Sequence, residues 1–185
     1  MRPLVPALAL ALALAMTPAA VPAALPTGRA APDFTTSGAF AGRPFQFSLR
    51  QALRRGPVVV YFFPRSFTQG CTLEAHAFSE AAPDFRRAGA QVIGLSADHY
   101  DLLRRFSLEA CRSAFPVGMA SASIIRDYDV TFSAQRNNLT NRTSYVIAPN
   151  GRIIYAYSDL NWANHVTNTL RAVREWQQQH RRGRG

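Results

Sequence analysis

Two residues in this chain can act as soft nucleophiles, Cys71 and Cys111. All 21 basic residues are Arg, so lysine chemistry such as a Schiff base is excluded. Cys71 stands in Pro64-Arg65-Ser66-Phe67-Thr68-Gln69-Gly70-Cys71-Thr72-Leu73-Glu74, directly after the apolar run Val58–Phe63. A run that apolar predicts a strand buried on both faces. The cysteine then sits just past the carboxyl end of a central strand, where open α/β sheets bind ligands. It also opens the following helix, whose free amide groups and dipole favour negative charge. A thiol there should ionise more readily than a free one, and the thiolate is the nucleophile. The competing reading is a buried structural cysteine, a common fate of free Cys. Burial alone does not call for a threonine three residues before and a proline seven before.

Those residues also carry a family resemblance. Pro-x-x-x-Thr-x-x-Cys, met by Pro64, Thr68 and Cys71, resembles the active-site signature of peroxiredoxins. Thr68-x-Gly70-Cys71-Thr72-x-Glu74 is most similar to the bacterioferritin-comigratory, or Q-type, branch. The resemblance extends from about residue 28 to 173. It implies a thiol peroxidase in which Cys71 attacks a hydroperoxide and becomes a sulfenic acid, with no cofactor. Arg142, at the head of Arg142-Thr143-Ser144-Tyr145-Val146-Ile147, matches the family's arginine, expected to stabilise the thiolate and clamp the peroxide. Thr68 is expected to hydrogen-bond the thiol or the peroxide, with a plain helix cap as the alternative. Pro64 is expected to shield the sulfur from water. Glu74 is expected to orient Arg142, or else simply to face solvent. The branch often carries a second cysteine five residues after the first; here that position is His76. The resemblance leaves Cys111, in the next helix, as the resolving cysteine of an intramolecular disulfide. A bridge needs Cα atoms within roughly 7 Å, and sulfurs that start further apart would need local unwinding of both segments. The rival is a one-cysteine enzyme resolved by an outside thiol. A thiol–disulfide oxidoreductase on the same fold lacks its Cys-x-x-Cys, and a non-catalytic binding module has no need of Pro64, Thr68, Cys71 and Arg142 together.

The elements that must position these residues are legible in outline. Phe45-Gln46-Phe47 alternates like a short edge strand, and Ser48–Arg55 reads as a helical turn. The helix from Cys71 carries Phe78, Ala81 and Phe85 at helical spacing. Pro83 is expected to interrupt it and Gly89 to end it. Gln91–Leu95 reads as a strand. Asp98 is expected to cap the helix bearing Leu103, Phe106 and Ala110, with Cys111 at the edge of that stripe. A short strand at Pro116–Met119 and a brief helix from Ser121 to Tyr128 come next. Asn150-Gly151 predicts a hairpin between strands Thr143–Ala148 and Arg152–Tyr157. The last helix is expected over Asn161–Gln178, burying Ala163, Val166, Leu170 and Val173. This order predicts an α/β, thioredoxin-like fold: a mixed central sheet with helices on both faces.

Residues 1–24 read as a secretory signal peptide, followed by one domain over 28–180 and a basic tail at 181–185. Cleavage would leave no stable membrane insertion, and the protein is expected to be periplasmic or secreted by a bacterium, where disulfides persist. A reductant resembling thioredoxin and a monomeric state are expected. The formal charge of +10 comes from scattered arginines in an Ala- and Pro-rich chain, as a GC-rich genome would give. No nucleic-acid partner is therefore expected. The four histidines, His76, His99, His165 and His180, are far apart and read as surface or packing residues. No Cys/His group has metal-ligand spacing, so no metal is expected.

Overall fold

A computed structural model describes residues 24–182. The expected leader lies outside the described residues except for its last position, as do the final three residues of the tail. Among the described residues no helix is long and apolar enough to cross a membrane.

The chain begins with an antiparallel hairpin, β1 (Thr35–Phe40) and β2 (Arg43–Ser48), and a short helix, α1 (Leu49–Leu53). Ser48 caps α1, accepting from the amide of Gln51. The central strand β3 (Val58–Phe62) leads into α2 (Gln69–Arg87) and β4 (Gln91–Ser96). After α3 (Tyr100–Glu109) come β5 (Val117–Met119), α4 (Ala122–Asp127) and a small hairpin of β6 (Thr131–Ser133) and β7 (Arg136–Thr140). Strands β8 (Thr143–Ile147) and β9 (Ile153–Ser158) and helix α5 (His165–Arg182) complete the chain. The main sheet has seven strands in the order β2-β1-β5-β4-β3-β8-β9. It is mixed: β3 runs parallel to β4 and antiparallel to β8. This is the thioredoxin-like sandwich the sequence predicts.

Alternation along β3 divides the core in two. Val59, Tyr61 and Phe63 pack under α2, α3 and α5, with Phe78, Phe85, Phe106 and Val173. Val58, Val60 and Phe62 point the other way, toward Leu49 and Leu53 of α1 and Ile124 and Ile125 of α4. Every residue of β3 is 0% exposed, which is why it reads as an unbroken apolar run rather than an alternating one. Both cysteines lie in the first of these layers.

Several local expectations are corrected. Helix α2 runs through Pro83 without ending. The ring sits on the exposed side, where water can take the carbonyl it leaves unbonded, while buried Ala82 and Phe85 pin the last turns to the sheet. Ala81 is partly buried and packs against the core, as expected, and Ala82 beside it is fully buried. Asp98 does not cap α3: His99 occupies that position without a side-chain bond. Strand β1 and the β6–β7 hairpin are additional elements. Strand β1 has little apolar alternation, and Gly38 makes it possible: a Cβ there would fall 1.9 Å from the Val117 carbonyl oxygen. Helix α5 continues through Arg181 and Arg182, so the tail's first two positions are helical.

Candidate active site

The loop between β3 and α2 delivers Cys71. Phe63 donates its amide to the Leu95 carbonyl at 3.0 Å, which extends the sheet pairing to the mouth of the loop. Asp98, freed from capping, instead fixes the loop. Its Oδ2 accepts from the Ser66 amide at 2.6 Å and from the Ser96 hydroxyl at 3.0 Å. Phe67 takes a left-handed backbone, φ 63°, which a bulky residue adopts only when its surroundings compensate. Its ring packs edge-on against Phe106 at 5.3 Å and under the Arg105 guanidinium at 5.2 Å, both from α3. The bend turns the chain into α2, and Cys71 becomes the third helical residue, 1% exposed. Its amide is among the first-turn groups that have no partner within the helix.

Arg142 reaches the sulfur from a distant stretch of sequence. Antiparallel pairing puts Thr143, at the start of β8, opposite Phe62, at the end of β3. The residue before β8 therefore stands beside the loop that follows β3. Thr140 reinforces the junction, donating its hydroxyl to the Phe63 carbonyl at 2.7 Å. Arg142 is 5% exposed, and its guanidinium is fully directed. Nε donates to the Leu160 carbonyl at 2.9 Å, Nη1 to Glu74 Oε2, and Nη2 to Cys71 Sγ at 3.4 Å. Burial pulls down the proton affinity of the guanidinium, but Glu74 and Cys71 more than offset it, so Arg142 stays cationic. Gly70 permits this approach: a Cβ there would lie 3.2 Å from Nη2.

Glu74 is 0% exposed, one turn after Cys71 and on the same face of α2. Of the two placements left open by the sequence, orientation of Arg142 matches the geometry and a solvent-facing carboxylate does not. Burial pushes its carboxyl up to about 8, against the opposing pull of Arg142. Desolvation of a carboxylate at zero exposure is the larger influence here.

The remaining sequence candidates are placed less tightly. Thr68 is the N-terminal cap position of α2 by backbone conformation, yet makes no side-chain cap bond. It is exposed, and its hydroxyl donates to the Arg65 carbonyl at 3.1 Å. Pro64 is half-buried at the exit of β3. Cys111 lies just beyond α3 rather than within it; it is a free, buried thiol, as is Cys71. Burial pushes the Cys111 thiol well up, and no charge opposes this. The turn after it is strained: Arg112 and Ser113 are both left-handed, at φ 48° and 57°.

One residue of the site was not legible in the sequence. His165, read as a surface or packing residue, opens α5 at 0% exposure with Nδ1 3.8 Å from Glu74 Oε1. It lies 91 positions from Glu74, and no local spacing connects them.

The described residues hold no group of three or more His, Cys, Asp or Glu able to bind a metal.

The chain is similar to several known proteins. The chain is similar to the chloroplastic peroxiredoxin Q of Oryza sativa subsp. japonica, 31% identical over 151 residues. That match covers 79% of this chain and 65% of the rice protein, so the chain spans slightly under two thirds of that relative. It is also similar to peroxiredoxin Bcp of Xanthomonas campestris pv. campestris, 28% identical over 63% of this chain and 76% of the relative. Among solved structures, peroxidoxin BcpB from Mycobacterium tuberculosis superposes with a TM-score of 0.71 at 27% identity, covering 80% of this chain and 96% of that one. Peroxiredoxin Q of Xanthomonas campestris does so with a TM-score of 0.66 at 25% identity, covering 76% and 90%. The family model described as AhpC/TSA matches residues 27–156, a span that includes both the sulfur and the guanidinium facing it. As that span is well over half of its length, the chain belongs to the AhpC/TSA family.

Proposed function

We propose that this protein is a thiol-dependent peroxidase that reduces hydrogen peroxide and organic hydroperoxides. The observation that carries the reading is the Arg142 guanidinium 3.4 Å from the Cys71 sulfur, at the amino end of α2. The Cys71 thiolate attacks the terminal peroxide oxygen. An S–O bond forms, the O–O bond breaks, and the departing alkoxide or hydroxide takes up one proton. The products are a Cys71 sulfenic acid and an alcohol or water. Arg142 stabilises the thiolate before the attack and the charge on the leaving oxygen during it. Glu74 positions the guanidinium. Thr68 and Pro64 line the approach, with the Thr68 hydroxyl turning from the Arg65 carbonyl to the peroxide. The kinship with proteins named peroxiredoxin supports the same reading.

The sulfenic acid then condenses with Cys111, forming the disulfide and releasing water. A dithiol protein of the thioredoxin type reduces the disulfide and is itself oxidised. The enzyme works as a monomer in the periplasm or outside the cell, after removal of residues 1–24. The test is peroxide consumption with a dithiol reductant, comparing wild type with Cys71→Ser. Equal rates in the two would dispose of the peroxidase reading. Peptide mapping after stoichiometric peroxide checks the second step: a Cys71 sulfenic acid persisting beside a free Cys111 points to an outside thiol instead.

A further inference from the structure

Tyr61, in β3, carries a buried hydroxyl with no hydrogen-bond partner among the described residues. A buried tyrosine hydroxyl ordinarily finds one. Tyr128 and Tyr145, just as enclosed in the opposite layer, do so: their hydroxyls donate to the Pro32 and Tyr128 carbonyls, each at 2.7 Å. The Tyr61 ring instead stacks on Phe78 at 4.3 Å and meets Phe63 at 5.5 Å and Phe115 at 5.9 Å. Its oxygen lies over Gly94 of β4, where a Cβ would fall 2.7 Å away. Glycine there leaves room for the phenol but offers it no side chain to bond. Aromatic rings line the place, so a water would lack the several polar partners that hold one inside a core. Leaving such a group unpaired costs the folded state.

The Phe115 ring, one side of this enclosure, belongs to the segment that carries Cys111. Between the two residues the chain turns through the left-handed Arg112 and Ser113. Cys111 and Phe115 are both buried in the layer that holds Tyr61. Burial pushes the Tyr61 phenol well up, and among the ionisable groups that add to this Cys111 comes first, ahead of Glu74 and Cys71. The phenol thus faces the Cys111 sulfur before any group of the active site. We propose that Tyr61 sets how readily Cys111 leaves the core: its hydroxyl is unpaired while segment 111–115 is closed and bonds water when that segment opens, so the closed state alone bears the cost. This rests on the proposed resolving role of Cys111 only for its catalytic meaning; the opening belongs to the reduced fold. Tyr61→Phe keeps the ring and removes only the hydroxyl. The closed state then gains relative to the open one, and opening becomes rarer.

The test reads Cys111 alone, by its rate of labelling with N-ethylmaleimide in a reduced Cys71→Ser protein, with no peroxide present. Labelling of a buried thiol follows the fraction of molecules that are open. Tyr61→Phe should slow it about tenfold, the effect of removing one unpaired buried hydroxyl, and should raise the melting temperature. Tyr145→Phe is the control. It removes a bonded hydroxyl and strands the Tyr128 carbonyl and the Leu25 amide, which that hydroxyl meets at 2.7 and 3.0 Å. It should lower the melting temperature and not slow the labelling. Unchanged or faster labelling in a folded Tyr61→Phe protein overturns the proposal even if the melting temperature rises, since the cost is then relieved only by complete unfolding. Equal slowing in Tyr145→Phe overturns it too. Should Tyr61→Phe not fold, hydrogen exchange of the otherwise unaltered protein decides. The Cys111 and Ala114 amides, bonded at 2.9 Å to the Phe106 and Cys111 carbonyls, should exchange well before those of β3. Exchange no faster than β3 overturns the proposal. With both cysteines present and peroxide added, Tyr61→Phe should slow disulfide formation by the same factor. A protein that passes the labelling tests yet forms no disulfide would leave the Tyr61 device standing and sink only the resolving role of Cys111.

Discussion

Cys71 and Cys111 lie in the same apolar layer, at 1% and 0% exposure, and burial does not distinguish them. The ends of their helices do. Cys71 is in the first turn of α2, where amide hydrogens are free, and a guanidinium stands 3.4 Å from its sulfur. Cys111 follows the last turn of α3, where free carbonyl oxygens disfavour an anion, and among the described residues burial alone shifts its thiol, with no cation opposing it. Under the proposed function, the same residue type is the attacking nucleophile at Cys71 and a neutral, buried thiol at Cys111. For Cys111 to react it must first leave its place. The difference teaches that reactivity here is set by the few dipoles and charges around each sulfur, not by how deeply it is buried.

The strongest way to break the comparison is to exchange the sulfurs for hydroxyls. Cys71→Ser should reduce peroxide consumption to the background rate. Cys111→Ser should leave the first, single-turnover reduction within about twofold of wild type and abolish only the disulfide product, since it touches no group in the reaction's first step. Stopped-flow measurement with stoichiometric peroxide separates the two; a first turnover lost in Cys111→Ser would make the two sites equivalent. Next in size is Arg142→Gln. It keeps hydrogen bonding but removes the charge, and should slow sulfenate formation by about 10²–10³-fold, as for loss of an oxyanion-hole donor. A loss below about fivefold would mean the helix end alone activates the sulfur.

A smaller effect concerns pH. The Glu74 carboxyl is held at about 8 by burial, against the pull of Arg142, so the folded state binds a proton the unfolded chain has lost. Its contribution to stability is complete below the ordinary value of 4.5 and disappears as pH rises to about 8. His165, lowered from 6.5 to about 4, runs the other way: its contribution is complete above 6.5 and lost as pH falls through about 4. The two oppose each other between 4.5 and 6.5. From 6.5 to about 8 only Glu74 acts, so thermal stability should fall with rising pH, and Glu74→Gln should flatten that decline. Melting curves at several pH values check it. Cys111 has no such carboxylate beside it, so its side of the molecule should contribute nothing to this slope.

The legible part of this site is the part that is local in sequence. Val58–Phe63, the turn and Cys71 lie within fourteen positions, and a buried strand followed by a helix start leaves a pattern that physics alone can read. Arg142 is 71 positions away from Cys71, and only the family resemblance links it to the sulfur; the physical link is the antiparallel register of β3 and β8, which no spacing encodes. His165 had neither aid. It comes to Glu74 through α5 packing on the sheet, and as a lone histidine it resembled any other. Asp98 is expected from its place at a helix start to cap α3, but its carboxylate turns instead to the loop, where the Ser66 amide needs an acceptor. Pro83 obeyed the rule that it breaks a hydrogen bond; packing of Ala82 and Phe85 decided that the helix survives.

The smallest effect probes how each cysteine's segment bears strain. Phe67 before Cys71 and Ser113 after Cys111 are both left-handed, at φ 63° and 57°. The Phe67 ring is anchored by Phe106 and Arg105, so its strain is held in place by packing. Ser113 is exposed and has no comparable anchor. Phe67→Gly should therefore destabilise the protein, because the lost packing of the half-buried ring on Phe106 and Arg105, together with the extra entropy glycine loses on folding, exceeds the relieved backbone strain. Ser113→Gly should stabilise it by about 0.5 kcal/mol, the αL cost of ~1–2 kcal/mol less the extra entropy glycine loses on folding. Urea denaturation of the reduced protein measures both. The same Ser113→Gly change should slow formation of the Cys71–Cys111 disulfide about twofold, since less strain is released when the turn opens. If disulfide formation is faster instead, flexibility rather than stored strain governs how Cys111 leaves the core.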